Sequence, residues 1–68
     1  MAESIYKIIE VVGTSEKSWD VATAAAVEKA SGSLRDLRVA EVTKLDVTIE
    51  NGKVKLYRAR ITLSFKYE

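Results

Sequence analysis

Asn51-Gly52 constrains this chain more than any other feature. Asn-Gly is the strongest short hairpin signal, because both residues tolerate the positive φ that a tight type I′ turn demands. The stretches on either side, Leu34 to Glu50 and Lys53 to Tyr67, are rich in β-branched and aromatic residues and contain no proline. They read as two long antiparallel strands with Glu50 facing Lys53. An uninterrupted register then sets Leu45 against Arg58, Glu41 against Thr62 and Val39 against Ser64.

Strand alternation divides this hairpin into two faces. One carries Tyr57, Ala59, Ile61, Leu63 and Phe65 with Ala40 and Val42. The other carries Leu45, Val47, Ile49, Val54 and Leu56 near the turn, followed by Val39, Glu41, Arg58, Arg60 and Thr62.

Upstream, Ser4 to Val12 reads as a strand with apolar residues on both sides: Ile5, Ile9 and Val11 on one, Tyr6, Ile8 and Val12 on the other. Such a strand is expected to be central or covered on both faces. Gly13-Thr14-Ser15 reads as a turn. Ser18 suits a helix N-cap, since its hydroxyl accepts from an otherwise unpaired backbone N–H. A helix is expected from about Trp19 to Ser31, with Ala22, Ala26, Val27 and Ala30 on one side. Gly32 is placed to end it in a left-handed conformation. The fold class is α+β with β-α-β-β order, one domain over residues 1–68.

Such a chain has little interior. A domain of 68 residues is marginal without disulfides, metals or partner subunits. It has no cysteine and no histidine, which removes disulfides, thiolate sites and the commonest general base and zinc ligand. A helix of about 13 residues spans roughly 20 Å, against roughly 50 Å for a strand of about 15. One helix cannot dry both faces, so the apolar patch near the turn, on the face away from the helix, is expected to meet other copies.

Composition excludes several functions. Eleven basic against ten acidic residues leave a net charge of +1, no basis for nucleic-acid binding. No segment reaches the roughly 20 apolar residues of a membrane span, and Met1-Ala2-Glu3-Ser4 lacks signal-peptide character. A cytoplasmic setting is expected. There is no phosphate loop, nucleophile elbow or spaced metal cluster, so an enzyme is not expected.

The order IYKIIEVVGTSEKSWDVATAAAVEKAS, LRDLRVAEV, ENGKVKLYRARITLSFKYE resembles the dodecin family along nearly the whole chain. Tyr6-Lys7, Val12-Gly13-Thr14-Ser15 with Ser18-Trp19, Leu37-Arg38, Gly52-Lys53-Val54, Tyr57 and Phe65 carry the likeness. The resemblance implies a three-stranded antiparallel sheet wrapped around one helix. It also implies self-assembly of trimers into a hollow homododecameric shell, and non-enzymatic binding or storage of a small ligand. In that family flavins bind in pairs at two-fold axes, stacked on tryptophan.

At the flavin positions the sequence departs from the pattern. The stacking tryptophan falls on Val39, a ring-binding glutamine on Arg58 and an arginine on Asp46. Stacking is worth about 0.5–1.5 kcal/mol beyond area burial. Arginine only donates, whereas glutamine also accepts, and a ring edge needing an acceptor would go unmet, which is costly in a dry site. Flavin binding is expected to be weakened or lost. Arg38-Val39-Ala40 with Asp46 resembles instead a calcium-binding dodecin subgroup, with Asp46, Glu41 and Glu50 as metal ligands, although no EF-hand spacing supports it. Against these stand plainer readings: Asp46 as a salt-bridged carboxylate, Arg58 and Arg60 paired across strands with Glu41, and Trp19 as a plug between helix and sheet.

Overall fold

The computed structural model describes residues 3–67. The element order is β1 (Ile5–Ser15), α1 (Trp19–Ser31), β2 (Leu37–Glu50) and β3 (Lys53–Tyr67). The three strands form one antiparallel sheet in the order β1-β3-β2. Met1, Ala2 and Glu68 lie outside the described residues.

The hairpin forms as its turn chemistry dictates: Asn51 and Gly52 take φ of 55° and 74°, and Glu50 faces Lys53. The helix begins and ends at the expected residues. Ser18 is extended, and its Oγ accepts from the Val21 N–H at 3.1 Å. The expected left-handed ending at Gly32 does not occur. Gly32 stays right-handed at φ −73°, and the N–H groups of Ser33 and Leu34 both reach the Ala30 carbonyl. The positive φ falls instead on Asp36, at 55°, just before β2 begins, four residues later than expected.

β1 is an edge strand, not a central one, and it runs through the residues read as a turn to Ser15. Gly13 explains why. It lies opposite Ala59 in the sheet, where α1 crosses closely. A Cβ at Gly13 would collide with the Ala22 carbonyl oxygen and lie 2.9 Å from the Ala26 Cβ. The glycine and the alanines together let helix and strand touch.

The core is small. Ala22, Ala59, Ile61 and Leu63 are fully buried, with Ile9, Val11, Ala26, Val27 and Leu34 packed around them. The subunit measures 55 × 20 × 14 Å, with a radius of gyration of 14.2 Å; a compact chain of this length has roughly 11 Å. It exposes 5242 Å², against roughly 4,200 Å² for a compact monomer of its mass. Ile5, Ile8, Leu45, Ile49 and Val54 are each more than half or about half exposed.

The register corrects one expectation. β2 faces β3 as expected at Val39–Ser64 and Glu41–Thr62, but Leu45 lies opposite Ala59 and Asp46 opposite Arg58. An extra residue in β2, Thr43, shifts the pairing by one between Val42 and Lys44. An extra residue in β3, Lys55, restores it between Thr48 and Ile49. A one-residue shift moves each side chain to the other face. Leu45, Val47, Ile49 and Val54 therefore share the α1 side of the sheet with Tyr57 and Ala59, beyond the helix, and not the opposite face. Leu56, Arg58 and Arg60 remain on the opposite face.

Candidate ligand-binding site

The two bulges determine the site. Without them Asp46 would oppose Tyr57. With them it stands across from Arg58, while Leu45 and Val47 turn toward α1. The Thr43 hydroxyl donates to the Arg60 carbonyl at 3.2 Å, and the Thr48 hydroxyl accepts from the Leu56 N–H at 3.1 Å. Side-chain hydroxyls thus support the ladder where its regular pairing breaks.

Arg58 grips Asp46 with two parallel hydrogen bonds, Nε to Oδ1 at 2.8 Å and Nη2 to Oδ2 at 3.0 Å. This fork geometry is the strong form of an arginine–carboxylate pair. It holds the Asp46 carboxyl below its ordinary value of 3.8, chiefly through the Arg58 hydrogen bonds. Partial desolvation opposes that shift, and the charges of Arg58, Arg60 and Lys44 add to it. The same bonds raise Arg58 above its ordinary value.

The backbone of Asp46 is fixed separately. The Trp19 indole N–H donates to the Asp46 carbonyl at 3.0 Å, and its ring meets Tyr57 edge-on, centroids 5.2 Å apart at 82°. Trp19 is thus the plug between the start of α1 and the hairpin, with 36% of its surface still exposed.

Asp46, Arg58 and Val39 share the sheet face turned away from α1. Val39 lies opposite Ser64, six residues along β3 from Arg58, so roughly 20 Å separates it from the Asp46–Arg58 pair. One copy does not bring the three into a single pocket. Arg58 pairs with Asp46 and not with Glu41, which faces Thr62.

The acidic residues named for a metal are also spread out. Glu41, Asp46 and Glu50 occupy distant positions on β2, and Glu50 pairs with Lys55 at 3.0 Å. Among the described residues no three acidic, histidine or cysteine side chains gather to hold an ion. Calcium takes six to eight oxygens, so a single copy does not fit it.

Sequence reading missed the Trp19–Asp46 anchor and the direct opposition of Lys44 and Arg60. The first links residues 27 apart, and the second exists only because Thr43 bulges.

The family model for dodecin matches residues 5–68. The calcium dodecin of Mycobacterium tuberculosis is 41% identical over 63 residues, 93% of this chain and 89% of that protein. The structure of dodecin from Streptomyces coelicolor is similar at a TM-score of 0.93 and 40% identity, covering 100% of this chain and 97% of that one. The crystal structure of the calcium-chelating antigen calcium dodecin from Mycobacterium tuberculosis, described with a novel calcium-binding site, matches at 0.85 and 40% identity, covering 96% and 93%.

Proposed function

Because this chain belongs to the dodecin family, we propose that it acts as a homododecameric, non-catalytic protein that binds or stores a small ligand, with the family's flavin site altered. One observation supports the altered site: Asp46 and Arg58, which we align with two of the family's flavin-site positions, are closed on each other by two hydrogen bonds. Val39 at the third offers no aromatic face. Arg58 has turned two of its five N–H donors to Asp46, and a flavin taking those donors must break that pair.

Assembly is supported by the elongated subunit, its small core and its exposed apolar residues on both faces. Among the described residues no helix is long and apolar enough to cross a membrane. The reading includes a cytoplasmic setting, which the absence of cysteine suits.

Titrating riboflavin or FMN with the protein while following flavin fluorescence tests the altered site. Weak or absent quenching is expected; tight quenching at nanomolar protein contradicts it.

The second reading is a calcium-binding shell, favoured by the 41% identity to calcium dodecin. Glu41 offers an oxygen ligand with no ion-pair partner among the described residues, whereas Asp46 and Glu50 are engaged by Arg58 and Lys55. A full ligand set would require more than one copy.

A further inference from the structure

A second concave site lies on the α1 side of the sheet, on the face opposite the Asp46–Arg58 pair. At Gly13 strand and helix touch, with the Ala22 carbonyl oxygen where a Cβ would collide with it. Toward the start of β1 and the end of α1 the two elements part. Ile9 and Val11 of β1 meet Ala26 and Ala30 of α1 around a half-open pocket of about 330 Å³, with Leu34 beside them. The alanine methyls that let the helix approach at Gly13 are too short to fill the gap further along. The volume lies at the lower end of the range for small-molecule sites, about 300–1,000 Å³.

The polar part of the lining is Lys29 and Ser33, both exposed. Among the described residues the ion pairs are Arg38–Asp36, Lys55–Glu50 and Arg58–Asp46, so Lys29 has no ion-pair partner there. The helix end does not require its ammonium either. The Lys29 carbonyl accepts from the Gly32 N–H, and the Ala30 carbonyl accepts from those of Ser33 and Leu34. A lysine stem can lie along apolar surface while its charged head stays in water. The pocket thus joins an apolar interior to one unmatched cation and a hydroxyl.

We propose that this pocket binds a small amphipathic carboxylate, a medium-length alkyl chain ending in an acid group, as a site separate from the Asp46–Arg58 face. The chain lies between β1 and α1, against Ile9, Val11 and the two alanines. The carboxylate meets the Lys29 ammonium and the Ser33 hydroxyl in a charge-assisted contact. A polar group fixing the orientation of an otherwise apolar ligand is the usual division of labour in such sites. A neutral molecule with the same chain would fill the pocket without satisfying Lys29, and a short acid would satisfy Lys29 without filling the pocket.

Titration calorimetry of the wild-type protein as purified, with octanoate, octanol and acetate, tests this beside Lys29→Glu and Ala30→Leu. Octanoate is expected to bind saturably, octanol more weakly and acetate not at all. Lys29→Glu turns an attraction at an exposed charge into a repulsion. It is expected to weaken octanoate about tenfold and leave octanol unchanged. Ala30→Leu, which fills the pocket, is expected to exclude both. Lys29 lies outside the core, so its variant reports on binding even if Ala30→Leu fails to fold. Absence of saturable octanoate binding to wild type overturns the proposal, and is the result expected if a neighbouring copy occupies the pocket. Lys29→Glu binding octanoate as wild type does, or losing octanoate and octanol alike, also overturns it, as does undiminished binding to folded Ala30→Leu.

Discussion

Asp46 is held from both sides of the sheet: Trp19 takes its backbone carbonyl at 3.0 Å from the helix side, and Arg58 takes both carboxylate oxygens on the opposite face. One residue thus joins the start of α1 to the candidate site, and a change at the pair is read through a fixed backbone.

The pair has a defined pH signature. The folded Asp46 pKa lies below its ordinary value, with the Arg58 hydrogen bonds as the main cause. A depressed carboxyl adds stability above the unfolded pKa and loses it as pH falls through the folded one. The unfolding temperature of wild type should therefore exceed that of Arg58→Gln by a constant margin above about pH 5, with the margin closing below about pH 4. Both groups are solvent-exposed, so the margin is small. Thermal melts from pH 2 to 7 check it; a margin independent of pH would contradict it.

Val39→Trp with Arg58→Gln restores the family's stacking and amide groups and frees the site from its internal pair. Flavin affinity should rise at least about tenfold over wild type, the equivalent of about 1.4 kcal/mol. Fluorescence titration of both proteins with riboflavin checks it; equal affinities would break the alignment of Val39 and Arg58 with the ring-binding positions.

Gly13→Ala tests the helix–strand contact. The new methyl would overlap the Ala22 carbonyl and crowd Ala26, and both belong to the backbone or core of α1. Overpacking of this kind costs about 1–3 kcal/mol. Denaturant unfolding should show the loss, with a lowered midpoint; an unchanged midpoint would mean that α1 moves away freely.

A calcium-loaded shell should respond to a chelator. A ligand that binds only the native state raises its stability by mass action. If calcium completes this assembly, EDTA lowers the unfolding temperature and added calcium restores it. Identical melts with and without EDTA remove the second reading.

Local chemistry made much of the fold legible. Asn51-Gly52 announced the hairpin, and Ser18 announced the helix start, because each sets its own backbone. Gly13 was misread, since a glycine beside Thr14 and Ser15 has turn composition; only the approach of Ala22 and Ala26 explains it. The face assignment of Leu45, Val47, Ile49 and Val54 failed for a sharper reason. Alternation carries a face only as far as the next bulge, and Thr43 has no local mark that distinguishes it from an ordinary strand threonine. The same bulge delivers Asp46 to Arg58. Asp46 is salt-bridged to Arg58, a partner legible only from the shifted register.

The subunit reserves its deep core for Ala22, Ala59, Ile61 and Leu63 and leaves the rest of its apolar surface for other copies. Native mass spectrometry of the purified chain at low micromolar concentration tests that directly. The account predicts particles of twelve subunits with no substantial monomer, and a folded monomer as the dominant species would contradict it.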